Sequence, residues 1–181
     1  LPGGVVTAKD TAEIQLDENG EFVRNPEEDI VKVAVVERHQ GTGNVACGFL
    51  KGYGIKAGAV ALSIAHDSHN IIVVGVSDEE MEFAVNSLIA QEGGMVLVRE
   101  GKVLESMPMP IAGLMSDQSG EWVDEKLTAI HAKAYEELGI AGDVEPVMTL
   151  CFMSLAVIPE VKLTDMGLFD VTTFSFIPVE A

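Results

Sequence analysis

His66-Asp67-Ser68-His69-Asn70 is the densest polar cluster of the 181-residue chain, and it separates two apolar runs, Ala59 to Ala65 and Ile71 to Val76. Imidazole and carboxylate groups are good ligands for first-row divalent metals. A His–Asp pair can also fix an imidazole tautomer for acid–base work. The cluster is not the helical His-Glu-x-x-His zinc pattern. In an extended segment, moreover, positions 66 and 69 point to opposite faces. The residue types leave three readings open: a structural polar network, a loop facing an active site, and a metal site.

Arg38-His39 follows the β-branched run Ile30 to Val36 and can join the same region. Its guanidinium can pair with Asp67, grip a ligand bidentately, or make a plain surface salt bridge. Gly41-x-Gly43 and Gly52-x-Gly54 lack the third glycine, the following helix and the lysine of a phosphate-binding loop. The His-x-Glu and Pro-Cys-x-x-Cys pattern of zinc deaminases is missing, and so is a Gly-x-Ser-x-Gly elbow.

The charge distribution sets off the same stretch. The chain carries 29 acids against 11 bases, a formal net charge of −18. Between residues 31 and 75 the balance reverses, with Lys32, Arg38, Lys51 and Lys56 against Glu37 and Asp67 alone. His39, His66 and His69 lie there too. Buried strands carry few charges, and a site for a neutral or anionic ligand would look the same. The overall acidity repels phosphate backbones and argues against nucleic-acid binding. The longest uncharged apolar stretch, Pro146 to Pro159, is too short to span a bilayer. Cys47 and Cys151 cannot form a disulfide framework, and read as buried thiols of a reduced, cytoplasmic protein.

These residues need elements to position them. Residues 1–29 read as a peripheral arm or edge hairpin turning at Asp17-Glu18-Asn19-Gly20, and residues 30–181 as one domain. Strands are expected over Ile30–Val36, Val45–Leu50 and Ile71–Val76, with Ala59–Ala65 a buried strand or short helix. Ser77 and Glu80 form a capping box for a helix striped by Met81, Ala84, Val85, Leu88 and Ile89. Met95–Arg99 and Val103–Met107 flank a turn as a hairpin. A second helix runs from Gly120 to Leu138, with His131 beside its apolar face in a structural role, and a third from Val147 to Val157. Phe169–Ile177 reads as a closing strand. The sum is an α+β fold, with about three helices packed on mixed sheet layers.

Long runs resemble a known family. Ala65 to Gly75, then Ser77-Asp78-Glu79-Glu80-Met81, closely resembles the C-terminal domain of bacterial adenine deaminases, in the amidohydrolase superfamily. The likeness includes Glu37-Arg38-His39, Gly41 to Asn44, Lys51 to Gly54 and Lys56 to Ala59. It continues at Pro110 to Asp117 and Pro159 to Asp165. Gln40 stands where family members often carry a second histidine, so no role of that histidine transfers.

The resemblance implies a parent enzyme that hydrolyses adenine to hypoxanthine and ammonia at a manganese or iron centre on a (β/α)8 barrel. The barrel's His-x-His pair is missing here, and the chain starts at Leu1 rather than methionine. The expectation is therefore a C-terminal domain without its barrel, inactive alone, with no metal firmly expected in it and with the barrel as partner. Arg38, His39, His66, Asp67, His69 and Asn70 are the candidates to face the active site. The competing expectations are a structural or dimer-forming domain, and an autonomous metal hydrolase built on His39, His66, Asp67 and His69. An exposed barrel-facing surface would make the chain a homo-oligomer.

Overall fold

The computed structural model describes residues 4–180. Its centre is a six-stranded sheet in the order β4-β3-β6-β5-β7-β8. The strands are β3 (Ile30–Val36), β4 (Val45–Lys51), β5 (Ala59–Leu62), β6 (Ile71–Gly75), β7 (Gly94–Arg99) and β8 (Lys102–Pro108). A short hairpin, β1 (Gln15–Leu16) and β2 (Phe22–Val23), precedes them. Every ladder is antiparallel, and parallel pairing among the described residues is confined to an isolated bridge between Thr7 and Glu160.

Strand periodicity of two explains the layers. Val31, Val33, Val35, Val60, Leu62, Ile72, Val74, Met95 and Leu97 face one core. Ala34, Ala59, Ala61, Ile71, Val73, Val96 and Val98 face the other. With both faces covered, the central strands are apolar at nearly every position. Helix α1 (Asp78–Ala90) covers the second face through Met81, Ala84 and Leu88. Helices α2 (Gly120–Glu136) and α3 (Pro146–Cys151) cover the first. A small sheet of β9 (Val161–Thr164), β10 (Gly167–Asp170) and β11 (Ser175–Ile177) packs beside β4 through Leu163 and Leu168. The expected α+β class and its three helices are both present.

Several local expectations change. Ser77 caps α1 by accepting from the Glu80 amide at 3.3 Å, but the Glu80 carboxylate accepts from the Glu100 amide at 2.6 Å, so only half of the capping box forms. Ala59–Ala65 is a strand that stops at Leu62. The third helix ends at Cys151 rather than Val157. The carbonyl of Cys151 accepts from the amide of His66 at 2.9 Å, and that of Met153 from Leu163 at 3.0 Å. Acceptors that would extend the helix are thus committed to other segments. The closing strand is interrupted by turns after Asp170, giving β10 and β11.

Candidate functional site

Register brings the candidate residues to one end of the main sheet. Val36 at the end of β3 pairs with Ile71 at the start of β6. Leu62 at the end of β5 pairs with both Ile72 and Met95, and Gly94 at the start of β7 pairs with Pro108. The connections 37–44, 63–70 and 109–119 therefore leave the sheet at the same rim. They carry Arg38 and His39, the histidine cluster, and an apolar loop.

The cluster does not run extended. Residues 66–68 form a turn, the His69 amide donates to the Ala65 carbonyl at 2.6 Å, and His69 takes φ +52°. Histidine tolerates the left-handed region better than most side chains. The turn brings the two imidazoles together, edge to face with centroids 5.4 Å apart, against the expectation of opposite faces. His66 also packs on Phe152, just past α3, at 4.8 Å. Asp67 is exposed.

Arg38 pairs with neither Asp67 nor any other carboxylate among the described residues. Its Nε donates to the His69 carbonyl at 2.5 Å and its Nη2 to the Ala112 carbonyl at 2.8 Å. The Arg38 amide donates to Oδ1 of Asn70, which is buried, at 3.3 Å. His39 is exposed, with Nε2 2.7 Å from the Ser68 carbonyl. Arg38, His39 and Asn70 thus bind loop backbone. They fix the histidine turn against β3.

Glu37 holds the first loop. Its carboxylate accepts from the Thr42 amide and hydroxyl, both at 3.0 Å, from the Gln40 amide at 2.7 Å, and from the His39 amide. These donors, with the Thr42 amide foremost, hold the carboxyl down to about 2. His69 is also shifted below the usual histidine value. Partial burial is the main cause, and the charge of His66 and Arg38 adds to it. Among the described residues its buried Nδ1 has no hydrogen-bond partner, which favours the neutral ring.

The sequence reading missed Ser63. This fully buried hydroxyl accepts from the Gly94 amide at 2.7 Å and donates to the Gly113 carbonyl at 2.5 Å, tying the loop after β8 to the rim. The available signal was a single hydroxyl closing the run Ala59-Val60-Ala61-Leu62. His131, set aside as structural, places Nδ1 2.7 Å from the Leu127 carbonyl and Nε2 against the Glu145 carboxylate. Cys151 is buried as expected, and desolvation pushes its thiol up to about 12. Cys47, expected to be buried, is exposed on edge strand β4.

Among the described residues, no three His, Cys, Asp or Glu side chains converge on a point suited to a metal ion. The two facing imidazoles lack a third donor, so this rim does not fit a metal centre. A cleft of about 430 Å³ lies away from it, lined by Asp17, Glu21, Lys32, Ser77, Asp78 and Glu79, and includes none of the candidate residues. Among the described residues, no helix is long and apolar enough to cross a membrane.

Residues 4–175 match the family model described as the adenine deaminase C-terminal domain. The chain is 70% identical over 181 residues to adenine deaminase 2 of Desulfotalea psychrophila, covering 100% of this chain and 31% of that protein. It is 49% identical over 180 residues to adenine deaminase of Ligilactobacillus salivarius, covering 99% of this chain and 31% of that protein. The match to adenine deaminase 2 of Carboxydothermus hydrogenoformans is 49% over 179 residues, with coverage of 99% and 31%. The chain therefore spans about a third of the length of these relatives.

Proposed function

The chain belongs to the adenine deaminase C-terminal domain family, and we propose that it serves as the accessory domain of an enzyme that hydrolyses adenine to hypoxanthine and ammonia. In this reading the domain packs on a metal-dependent catalytic barrel, in the cytoplasm, with its histidine rim turned toward the substrate opening. In this reading the manganese or iron ion sits on that barrel.

One observation carries the reading: His39, His66 and His69 gather on one sheet end, fixed by backbone hydrogen bonds of Arg38 and Asn70. A neutral imidazole offers one donor and one acceptor nitrogen. With Nδ1 of His69 buried, the other nitrogen can meet a single donor or acceptor group on an aminopurine edge, its own role set by the tautomer. Partial burial, which shifts His69 below its usual value, favours this neutral form. The contribution of the rim is to orient the substrate or exclude water. The hydroxide that attacks the ring comes from outside this domain.

A second reading has its own support. Arg38, His39 and Asn70 already have backbone partners, as members of an internal structural network would. Replacing His69 by alanine in the full-length enzyme separates the two. A fall in kcat or a rise in KM at unchanged melting temperature supports the substrate-facing rim. Unchanged kinetics with a lowered melting temperature supports the structural network.

A further inference from the structure

The loop after β8 is built for rigidity yet presents apolar side chains to water. Ile111 and Met115 close it as a two-residue bridge, each amide donating to the other's carbonyl at 3.2 Å, and Leu114 donates to Ile111 at 3.0 Å. Two donors anchor its tip to the rim: Arg38 Nη2 on the Ala112 carbonyl and Ser63 Oγ on the Gly113 carbonyl. Gly113 sits at φ +74°, and a Cβ there would lie 2.9 Å from Arg38 Nη1. The loop cannot fold its apolar side chains inward while these bonds hold. Ile111 is left 45% exposed and Met115 60% exposed. Rigidly displayed apolar side chains beside a polar cluster are characteristic of a docking surface.

The same guanidinium that holds Ala112 holds the His69 carbonyl through Nε. The apolar loop and the histidine turn are therefore one unit, and whatever covers one lies against the other. The relatives extend far beyond this chain, which covers only 31% of their length. We infer that Ile111 and Met115 seat against the catalytic barrel of the same enzyme, at the lip of its substrate opening, so that the loop sets how closely the histidine rim approaches the substrate. This rests on the accessory-domain reading above.

The test uses the full-length enzyme. Single Met115→Cys and Val103→Cys variants are alkylated with a neutral maleimide and followed by peptide mass. Val103 is 46% exposed and lies at the opposite end of the sheet, beside the turn between β7 and β8, so it serves as the reference. The inference predicts that the cysteine at 115 reacts at least about tenfold more slowly than that at 103, at every enzyme concentration. It also predicts that the Ile111→Glu/Met115→Glu double variant lowers kcat/KM by roughly tenfold or more, while Met115→Leu retains it. Equal alkylation rates would overturn the inference. So would protection that disappears on dilution, which would make the occupant a second copy. Failure of the substrate-facing reading of the rim shows separately, as normal kinetics in the His69→Ala enzyme although position 115 is protected.

Discussion

The Nε of Arg38 donates to the main-chain carbonyl of His69 across 2.5 Å, and this contact links the end of β3 to the histidine turn. Charged donors on backbone carbonyls contribute about 1.5–3 kcal/mol each. Arg38→Met removes two of them and should lower the melting temperature by roughly 5 °C or more. Arg38→Lys keeps the charge but loses the planar fork that reaches two carbonyls. It should recover only part of the loss. Thermal melts of the three proteins side by side check this.

Glu37 makes the first loop acid-sensitive. Its folded value is about 2, against an ordinary value of 4.5. The depressed value means its stabilisation is present above 4.5 and disappears as pH falls toward 2. Urea midpoints of wild type and Glu37→Gln should differ most at neutral pH and converge between pH 4.5 and pH 2. A gap that stays constant across that window would contradict the assignment.

Lys162 is 1% exposed, and its Nζ donates to the Val5 carbonyl at 2.8 Å. Burial pulls its value down from 10.5 to about 8. The folded state thus resists the charge that the unfolded chain carries freely. That penalty is complete below pH 8 and is relieved as pH rises from 8 to 10.5. Lys162→Met should raise the melting temperature at pH 7, with the gain shrinking by pH 10. Equal melting temperatures at pH 7 would argue that the Val5 contact offsets the whole penalty.

Glu145 couples α2 to α3. Its carboxylate caps α3 at the Met148 amide and meets Nε2 of His131. An N-cap contributes about 1 kcal/mol. Glu145→Ala should therefore cost more than that, since the imidazole also loses its partner. A double-mutant cycle with His131→Ala should show non-additivity of about 0.5–1.5 kcal/mol. Additive losses would mean that the two side chains act independently.

The sequence made the main sheet legible because its buried strands are β-branched and its turns carry glycine. It made α1 and α2 legible because their apolar residues repeat at helical spacing. The acid-poor stretch and the His66–His69 cluster pointed to residues that the sheet register gathers at one rim. The internal geometry of that rim was hidden, because it depends on contacts distant in sequence. Nothing local shows that the Cys151 carbonyl accepts from His66 and so helps end α3 early. Nor does anything local show that Arg38 would prefer two carbonyls to Asp67. Strand β9 was missed because Val161-Lys162-Leu163-Thr164 is short and includes a lysine, which burial alone makes readable. Cys47 reads as buried by residue type, but it lies on an edge strand.

The central claim is that this domain serves a reaction whose chemistry lies outside it. Its most direct test follows the loss of adenine absorbance with the purified 181-residue chain in added manganese, beside the full-length enzyme. The account predicts turnover by the full-length enzyme and none by the chain alone. Turnover by the chain that disappears in its His66→Ala variant would place a complete catalytic site within these residues and contradict the account.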